Sequence, residues 1–272
     1  MQITVLTENT SVAGFPVEHG LSLHIALNDG RNILFDMGQS GLFARNAEQL
    51  GVDLSGVDLA VISHGHYDHG GGLSHFLALN TTAQVYLHRE AFQPHYSLRE
   101  TGLRYIGLDL ALQGKEQLVC CGDYTVLGDG LTLFADVQGQ CCNPVGNRLL
   151  YGPDREHCDD FCHEQSLLIE EEGKTVLLAG CAHRGMVNIL QKATALMGHA
   201  PTHVLGGMHL VKSGLDENQE QAFIGELAMQ LQQYAHCTFY TMHCTGIEQY
   251  HKLKESLQEQ IHYLSCGEEL IL

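Results

Sequence analysis

Three histidines and one aspartate lie within six consecutive positions of this chain, in the segment His64-Gly65-His66-Tyr67-Asp68-His69. The apolar run 58–62 before them predicts a buried strand, and the glycines at 70–72 after them allow a sharp backbone turn. His-x-His suits a first divalent metal ion, and Asp-His suits a second ion beside it. A solvated histidine cluster on a surface turn is the alternative, but patterns of this length seldom arise by coincidence. The segment therefore predicts a metal site.

Three further histidines occur in the same context as this segment. His183 follows a predicted strand at 175–178, His209 follows one at 203–205, and His243 follows one at 238–242. In sheets covered by helices, ligands gather in the loops at the carboxyl ends of strands. One such histidine alone is as often structural as ligating. Together with the first segment, the three predict one shared crevice.

The elements that must position these residues are strands and helices in mixed order. Alternating or apolar runs predict strands, an Asn-Asp-Gly turn predicts a hairpin, and an Asp followed by Gln three positions later predicts a helix start. Residues 89–115 show no clear period and are predicted to be irregular. The clearest elements are the strand 2–6, the hairpin strands 21–27 and 32–35, the helix 42–50 and the helix starting at Asp216.

A polar stretch at about 137–163 predicts a long loop that acts as a lid or a substrate wall. It contains Cys158 and Cys162, whose spacing suits a soft metal ion or a redox pair, although free thiols in a reducing compartment are the favoured interpretation. We find no linker, internal repeat or low-complexity tract. A single domain over residues 1–272 is therefore expected.

The charge balance limits the partners of the protein. The formal net charge is -18, from 14 basic and 32 acidic residues, which argues against nucleic acid backbones and anionic membranes. A small anionic substrate stays compatible, because bound metal ions reverse the local field. No apolar run reaches the ~18 residues of a membrane span, and ten cysteines without a secretory signal indicate the cytoplasm. The sequence leaves the oligomeric state open.

Residues 63–73 resemble the signature of the metallo-β-lactamase superfamily. Shorter segments narrow the resemblance to the branch that includes a dihydropterin–ribofuranosylaminobenzene phosphate synthase, and the similarity runs over nearly the whole chain. The resemblance implies an α/β fold, an αββα sandwich of two central mixed sheets flanked by helices, with metal ions at one edge. The narrowing segments are Glu8-Asn9-Thr10, residues 18–22, residues 35–40, residues 180–183, residues 206–209 and residues 243–246.

The resemblance also implies roles for individual residues. It assigns His64 and His66 to a first metal ion, and Asp68 and His69 to a second ion that His243 completes. The cofactors implied are two divalent metal ions, with zinc favoured and manganese or iron as alternatives.

This sequence departs from the superfamily pattern between these ligands. Cys181 stands where a bridging aspartate is expected, His183 follows two residues later, and His163 precedes the predicted hairpin. A cysteine thiolate can bind zinc, so Cys181 and His163 are alternative ligands. His183 is the favoured one.

Residues outside the ligand set are assigned supporting roles. Asp36 is expected to orient a ligand histidine by hydrogen bonding, with a turn-capping role as the alternative. Glu8 and Asn9 lie at a strand end, where they face the substrate or shape the loop.

Two residues are candidates for the chemistry itself, and one is a candidate for substrate binding. Asp68 can accept a proton from a water molecule, and His209 can stabilise charge on the substrate or leaving group. Arg184 is the chosen anchor for an anionic substrate, because a guanidinium binds a phosphate or carboxylate in a fork. The other cations near the site loops are Arg148, Arg155 and Lys212.

The first functional hypothesis is a metal-dependent hydrolase that acts on a small ester, lactone or phosphorylated substrate. The resemblance offers a transferase as the alternative, which joins a dihydropterin methyl pyrophosphate to a ribofuranosylaminobenzene phosphate. A non-catalytic metal sensor or redox protein is the second alternative. More candidate ligands than one closed structural zinc site needs favour catalysis over this last class.

Overall fold

The computed structural model describes residues 1–12, 14–211 and 214–272. Lys212, named above as a nearby cation, lies outside these residues. The strands in chain order are β1 (Gln2–Thr7), β2 (Ser22–Ala26), β3 (Asn32–Phe35), β4 (Leu59–Val61), β5 (Gln84–His88), β6 (Tyr96–Arg99), β7 (Gly102–Tyr105), β8 (Leu118–Cys121), β9 (Tyr124–Gly128), β10 (Leu131–Phe134), β11 (Leu150–Tyr151), β12 (Ser166–Glu171), β13 (Lys174–Leu178), β14 (His203–Gly206), β15 (Thr238–Thr241), β16 (Ile261–Tyr263) and β17 (Glu269–Ile271). The α-helices are α1 (Leu42–Leu50), α2 (Tyr67–Gly70), α3 (Leu73–Leu79), α4 (Met186–Met197), α5 (Glu217–Gln232) and α6 (Ile247–Leu257).

Two mixed sheets form the centre of the fold in the described part of the chain. One has the strand order β17-β1-β2-β3-β4-β5-β8, and the other has the order β16-β15-β14-β13-β12-β10-β9. Strands β3, β4 and β5 run parallel in the first sheet, and β13 to β16 run parallel in the second. The carboxyl ends of parallel strands line up along one sheet edge. The loops that carry the candidate residues therefore start side by side.

Alternation along the central strands divides the core into layers. In β13, Val176 and Leu178 belong to the apolar cluster between the two sheets, whereas Leu177 belongs to the cluster under α4, α5 and α6. In β3, Ile33 and Phe35 face the other sheet, and Leu34 packs toward α1 and α3. Because successive side chains of a strand point to opposite faces, each sheet is covered on both sides. The αββα sandwich is confirmed.

Several sequence predictions agree with the structure. The strands 21–27 and 32–35 form an antiparallel pair, and helix α1 spans 42–50. The helix at 216 also starts as predicted, because the Asp216 side chain accepts from Gln219 N and the Gln219 side chain accepts from Asp216 N. No helix in the described ranges has both the length and the apolarity that crossing a membrane requires.

The prediction of irregular structure at 89–115 is wrong. Strands β6 and β7 form a hairpin there, and β11 pairs with β6 to make a small third sheet. Each hairpin strand has only four residues, and most of their side chains are exposed, so the sequence shows little hydrophobic alternation. The stretch 137–163 contains a 3-10 turn at Val145–Leu149 as well as β11. The pairing of β11 with β6 joins this stretch to the hairpin.

The layered core predicts a large stability difference between two identical substitutions. Leu177→Ala, at a fully buried side chain, should lower the free energy of unfolding by about 2 to 5 kcal/mol, because it leaves a cavity. Leu79→Ala, at a side chain that is 50% exposed in α3, should change it by no more than about 0.5 kcal/mol. Urea denaturation measures both. Equal losses would contradict this description of the core.

Candidate metal centre

The candidate residues follow four parallel strands and meet at one edge of the sandwich. The loop after β4 carries the first two histidines, and the short helix α2 carries the adjacent carboxylate and imidazole. The segments after β13, β14 and β15 contribute the rest. The residues brought to this edge are His64, His66, Asp68, His69, Cys181, His183, His209 and His243.

The first group of donor atoms comes from His64, His66 and His183. His64 Nε2 lies 3.1 Å from His66 Nδ1. One ring nitrogen from each of the three residues lies within 4.8 Å of the other two, and all three residues are buried. This group has the size and the chemistry of a three-histidine site.

The second group comes from Asp68, His69 and His243. His69 Nε2 and His243 Nε2 are 3.2 Å apart. Asp68 Oδ2 lies 3.4 Å from His243 Nε2 and 4.0 Å from His69 Nε2. Two imidazoles and a carboxylate at these spacings can surround one divalent ion.

Cys181 lies between the two groups. Its Sγ is 3.2 Å from His69 Nε2, and it also falls within ligand spacing of His64, of His183 and of His243. Burial raises the pKa of its thiol well above the usual value. Metal coordination would deprotonate this thiol. The position suits a donor shared by both groups.

In four of the histidines, the ring nitrogen that faces away from the centre makes a hydrogen bond. His64 Nδ1 lies 2.9 Å from Ser63 Oγ and His69 Nδ1 lies 2.7 Å from Asp36 Oδ2. His183 Nδ1 lies 2.9 Å from Asn147 Oδ1, and His243 Nδ1 lies 2.9 Å from Asn9 Oδ1. Such outer contacts fix the tautomer and the ring orientation of metal-binding histidines.

These contacts turn the Nε2 atoms of His69 and His243 toward each other in the centre. The acceptors Asp36 and Asn9 require His69 and His243 to carry their protons on Nδ1. Their Nε2 atoms, 3.2 Å apart, then need either a proton or a metal ion to hold them together. His183 Nε2 is buried with no hydrogen-bond partner among the described residues. The donor set therefore fits divalent metal ions.

The pKa values of the first group favour the metal-binding form. Burial holds the pKa of His64, His66 and His183 well below its usual value, and repulsion by neighbouring imidazoles adds to the shift. Neutral imidazole is the form that coordinates a metal ion. No proton has to be displaced from these rings near pH 7.

The second group carries more charge. Burial acts to raise the pKa of Asp68, but His69, His19 and His243 outweigh it and hold that pKa well below its usual value. Burial acts to lower the pKa of His69, but Asp36 and Asp68 outweigh it and raise that pKa. The surroundings of His69 thus favour positive charge.

His163 does not join either group. Its Nδ1 accepts a hydrogen bond from Gly65 N at 2.9 Å, and its Nε2 lies 3.3 Å from Asp159 Oδ2. Because Nδ1 must keep its lone pair for that contact, the proton is on Nε2, and the ring has no free donor atom for a metal ion. His95 Nδ1 binds the same oxygen of Asp159 at 2.7 Å. His163 also lies within ligand spacing of His66, His95 and Asp159, and its observed contacts make it a hydrogen-bonding support for the metal loop.

Glu8 and Asn9 hold the His243 loop. The buried carboxylate of Glu8 accepts hydrogen bonds from His243 N at 2.5 Å and Tyr263 Oη at 2.6 Å, and also from Thr10. Asn9 Oδ1 accepts from His243 Nδ1 and from Gly20 N. Of the two roles predicted for this pair, the observed contacts correspond to shaping the loop.

Arg184 is not brought to the metal edge, which corrects its choice as a substrate anchor. Its guanidinium donates to the carbonyl oxygens of Val137 and Asp160. It lines a separate surface pocket that also includes Arg89 and Cys162. The chain turns into α4 directly after Arg184, so its side chain points away from that of His183.

The other residues of the 137–163 stretch have local roles. Arg148 donates to Gly214 O, and Arg155 lies over the Tyr96 ring and donates to its hydroxyl. Cys158 and Cys162 are both exposed and are not joined in a disulfide. Partial desolvation of its sulfur and the neighbouring Asp160 carboxylate raise the pKa of Cys162 to about 12, a direction opposite to that of reactive thiols.

A pocket opens directly onto the two donor groups. His209 lies at its wall with its ring 4.3 Å from that of His183, and its Nδ1 is buried without a hydrogen-bond partner in the described ranges. The hairpin strand β6 and the 3-10 turn 145–149 form the facing wall.

The sequence analysis assigned no role to four residues of this site, which are Ser63, Asn147, His19 and Arg99. Only Ser63 could have been found from the sequence, because it stands directly beside the predicted ligand His64.

A family model described as the metallo-beta-lactamase superfamily matches residues 19–211. The uncharacterized protein MJ0448 of Methanocaldococcus jannaschii is 30% identical over 264 residues, which cover 93% of this chain and 94% of that protein. From the same organism, the 7,8-dihydropterin-6-methyl-4-(beta-D-ribofuranosyl)-aminobenzene-5'-phosphate synthase is 24% identical, and the match covers 92% of this chain and 88% of the synthase.

Solved structures give a similar result. Tm1679, described as a metal-dependent hydrolase of the beta-lactamase superfamily, superposes with a TM-score of 0.82 at 31% identity, over 100% of this chain and 99% of that one. The short form of human tRNase Z has a TM-score of 0.55 at 12% identity, over 100% of this chain and 99% of that one, a similarity of fold alone.

The outer hydrogen bonds predict a measurable effect on metal affinity. Asn9→Ala removes the acceptor for His243 Nδ1 and should weaken zinc binding by about 10- to 100-fold. Asn28→Ala, at an exposed turn far from the centre in the fold, should leave it unchanged. Competition with a chromophoric chelator measures both affinities. An unchanged zinc affinity in Asn9→Ala would remove this residue from the metal centre.

Proposed function

This chain belongs to the metallo-beta-lactamase superfamily, and we propose that it is a metal-dependent hydrolase of a small ester, lactone or phosphorylated substrate. One observation carries the proposal. Candidate donors from four strand ends line or adjoin one pocket, and the Nε2 atoms of His69 and His243 face each other at 3.2 Å beside it. A closed structural zinc site has four ligands and no pocket, whereas this arrangement is open.

The residues divide into two proposed metal sites. His64, His66 and His183 would hold one ion, Asp68, His69 and His243 the other, and Cys181 would contribute to both. Imidazole and thiolate donors favour zinc, and manganese or iron are the alternatives. When bound, such ions polarise a carbonyl or phosphoryl oxygen and lower the pKa of water to about 7.

Asp68 is proposed to accept the proton of the attacking water. Its Oδ2 lies 3.1 Å from His19 Nε2 and 3.4 Å from His243 Nε2, and its low pKa keeps it ionised. His19 is about half exposed at the pocket, so it can pass the proton on to solvent.

His209 is proposed to stabilise charge on the leaving group. Its ring stands beside His183 at the pocket wall, where an imidazole can donate a hydrogen bond to a bound substrate. Ile106, Leu149 and Leu150 line the opposite side and would exclude water from the reacting groups.

The proposal also includes the location of the protein and the size of its substrate. All ten cysteines are free in the structure, which supports the cytoplasm as its location. The net charge of -18 supports a small substrate over a nucleic acid. A single domain over 1–272 stays a prediction.

Removing two ligands tests the metal sites and the hydrolysis together. The double variant His64→Ala/His66→Ala should lose its bound metal by elemental analysis. Its rate with generic phosphodiester, phosphomonoester and lactone substrates should fall by more than about 100-fold, because several kcal/mol of transition-state stabilisation are lost.

A matched control separates this effect from the loss of any two histidines. His236→Ala/His251→Ala changes two exposed rings on other parts of the surface and should keep full metal content and activity. Full metal content in the His64/His66 variant would refute the ligand assignment. Metal-loaded wild-type protein without activity on all three substrate classes would refute generic hydrolysis.

The transferase is the second candidate function, favoured by the 24% identical dihydropterin synthase. In that reaction an arylamine would replace water as the nucleophile, and the departing pyrophosphate would bind at the metal edge. The same donor groups would serve both reactions, since both need an electrophilic site beside the substrate.

Incubation with a dihydropterin methyl pyrophosphate distinguishes the two functions. A hydrolase should release pyrophosphate at the same rate with and without the ribofuranosylaminobenzene phosphate. A transferase should release it only when the amine is present. A phosphate-release assay coupled to pyrophosphatase measures both rates.

A further inference from the structure

The hairpin β6–β7 carries two arginines at the mouth of the metal pocket. Arg99 lines the pocket together with His66, Asp68 and His209. Arg104 lies directly opposite Ser97 in the hairpin register, and Ser97 also lines the pocket. Opposed residues in an antiparallel pair share one face, as do residues two apart on a strand. Arg99 and Arg104 therefore project from the same face.

These two guanidinium groups lack partners that most arginines of the chain have. The side chains of Arg99 and Arg104 make no hydrogen bond or ion pair to the described residues. By contrast, Arg31 pairs with Asp29 and Arg89 pairs with Asp123. In a chain with 32 acidic residues, two exposed arginines on one sheet face without a carboxylate partner among the described residues leave their charge available to an anionic ligand.

Tyr67 connects this pair to the metal edge. It lines the pocket beside Asp68, and its N–H donates to Ile106 O at 2.8 Å, while His66 forms a β-bridge with Gly107. Tyr67, Asp68 and Arg99 line the same pocket. The hairpin is thus fixed relative to the donor groups.

We propose that Arg99 and Arg104 form an oxyanion-binding subsite that holds a phosphate or carboxylate group of the substrate while its reacting group lies at the metal edge. Arginine matches both oxyanions in a fork, and the bound anion removes the repulsion between the two cations. The Tyr67 hydroxyl can donate a further hydrogen bond to it. The subsite rests on the proposed metal-dependent reaction for its role, and it restricts the substrate class to small molecules with an anionic group beyond the reacting one.

Titration with pyrophosphate tests the subsite without any turnover. Pyrophosphate has one phosphate for the metal edge and a second that can reach the arginines. Isothermal titration calorimetry of zinc-loaded Arg99→Gln/Arg104→Gln should show an affinity about 10- to 100-fold below that of wild type, because charge-assisted hydrogen bonds are lost. Arg45→Gln, an exposed arginine on α1, should bind like wild type. Elemental analysis after the titration must give equal zinc contents.

Equal pyrophosphate affinities in the double variant and wild type would overturn the subsite, as would no binding to wild type. Kinetics then separate it from the proposed hydrolysis. The double variant should raise KM for the mono-4-nitrophenyl ester of succinate by about 10-fold or more and leave KM for neutral 4-nitrophenyl acetate within about 2-fold. If neither ester is hydrolysed but pyrophosphate binding depends on the arginines, hydrolysis of such esters fails and the subsite stands.

Discussion

The buried carboxylate of Asp36 is the contact on which both donor groups depend. It binds His69 Nδ1 at 2.7 Å and accepts the N–H and the hydroxyl of Ser63, each at 2.7 Å. Ser63 Oγ in turn lies 2.9 Å from His64 Nδ1. Asp36 adopts a backbone φ of 59°, a left-handed conformation that aspartate tolerates better than most residues. In these fully buried surroundings each hydrogen bond is stronger than in water.

A second buried carboxylate has the same role at the opposite side of the centre. Glu8 binds the backbone N–H of His243 and the hydroxyl of Tyr263, which joins the first strand to the loop after β15. His243 also has a positive φ, of 51°. Because an unpaired buried polar group is costly, these contacts leave few alternative positions for the loops. Hydrogen bonds fix the ring nitrogens that face away from the centre, and the ring nitrogens that face the centre are the candidate metal donors.

The hairpin β6–β7 and the strand β11 complete the site from the other side. Together they place a small third sheet over the metal edge, with Arg99 and the apolar residues of the 145–149 turn at its inner surface. The two central sheets carry the candidate metal donors, and this smaller sheet forms the facing wall of the pocket. Under the proposed function, the reaction and the choice of substrate are therefore carried by different elements of the fold.

The sequence by itself determined what depends on spacing within a few residues: the donors at 64–69, the alternation of the central strands and the capping box at Asp216. The tertiary structure alone decided which of His163, Cys181 and His183 approach His64, and that Arg184 faces away while Arg99 faces the pocket. These choices depend on contacts such as Gly65 to His163, 98 residues apart, and His95 to Asp159, 64 residues apart. Local spacing carries no information about such pairs, because strand pairing and loop closure bring them together.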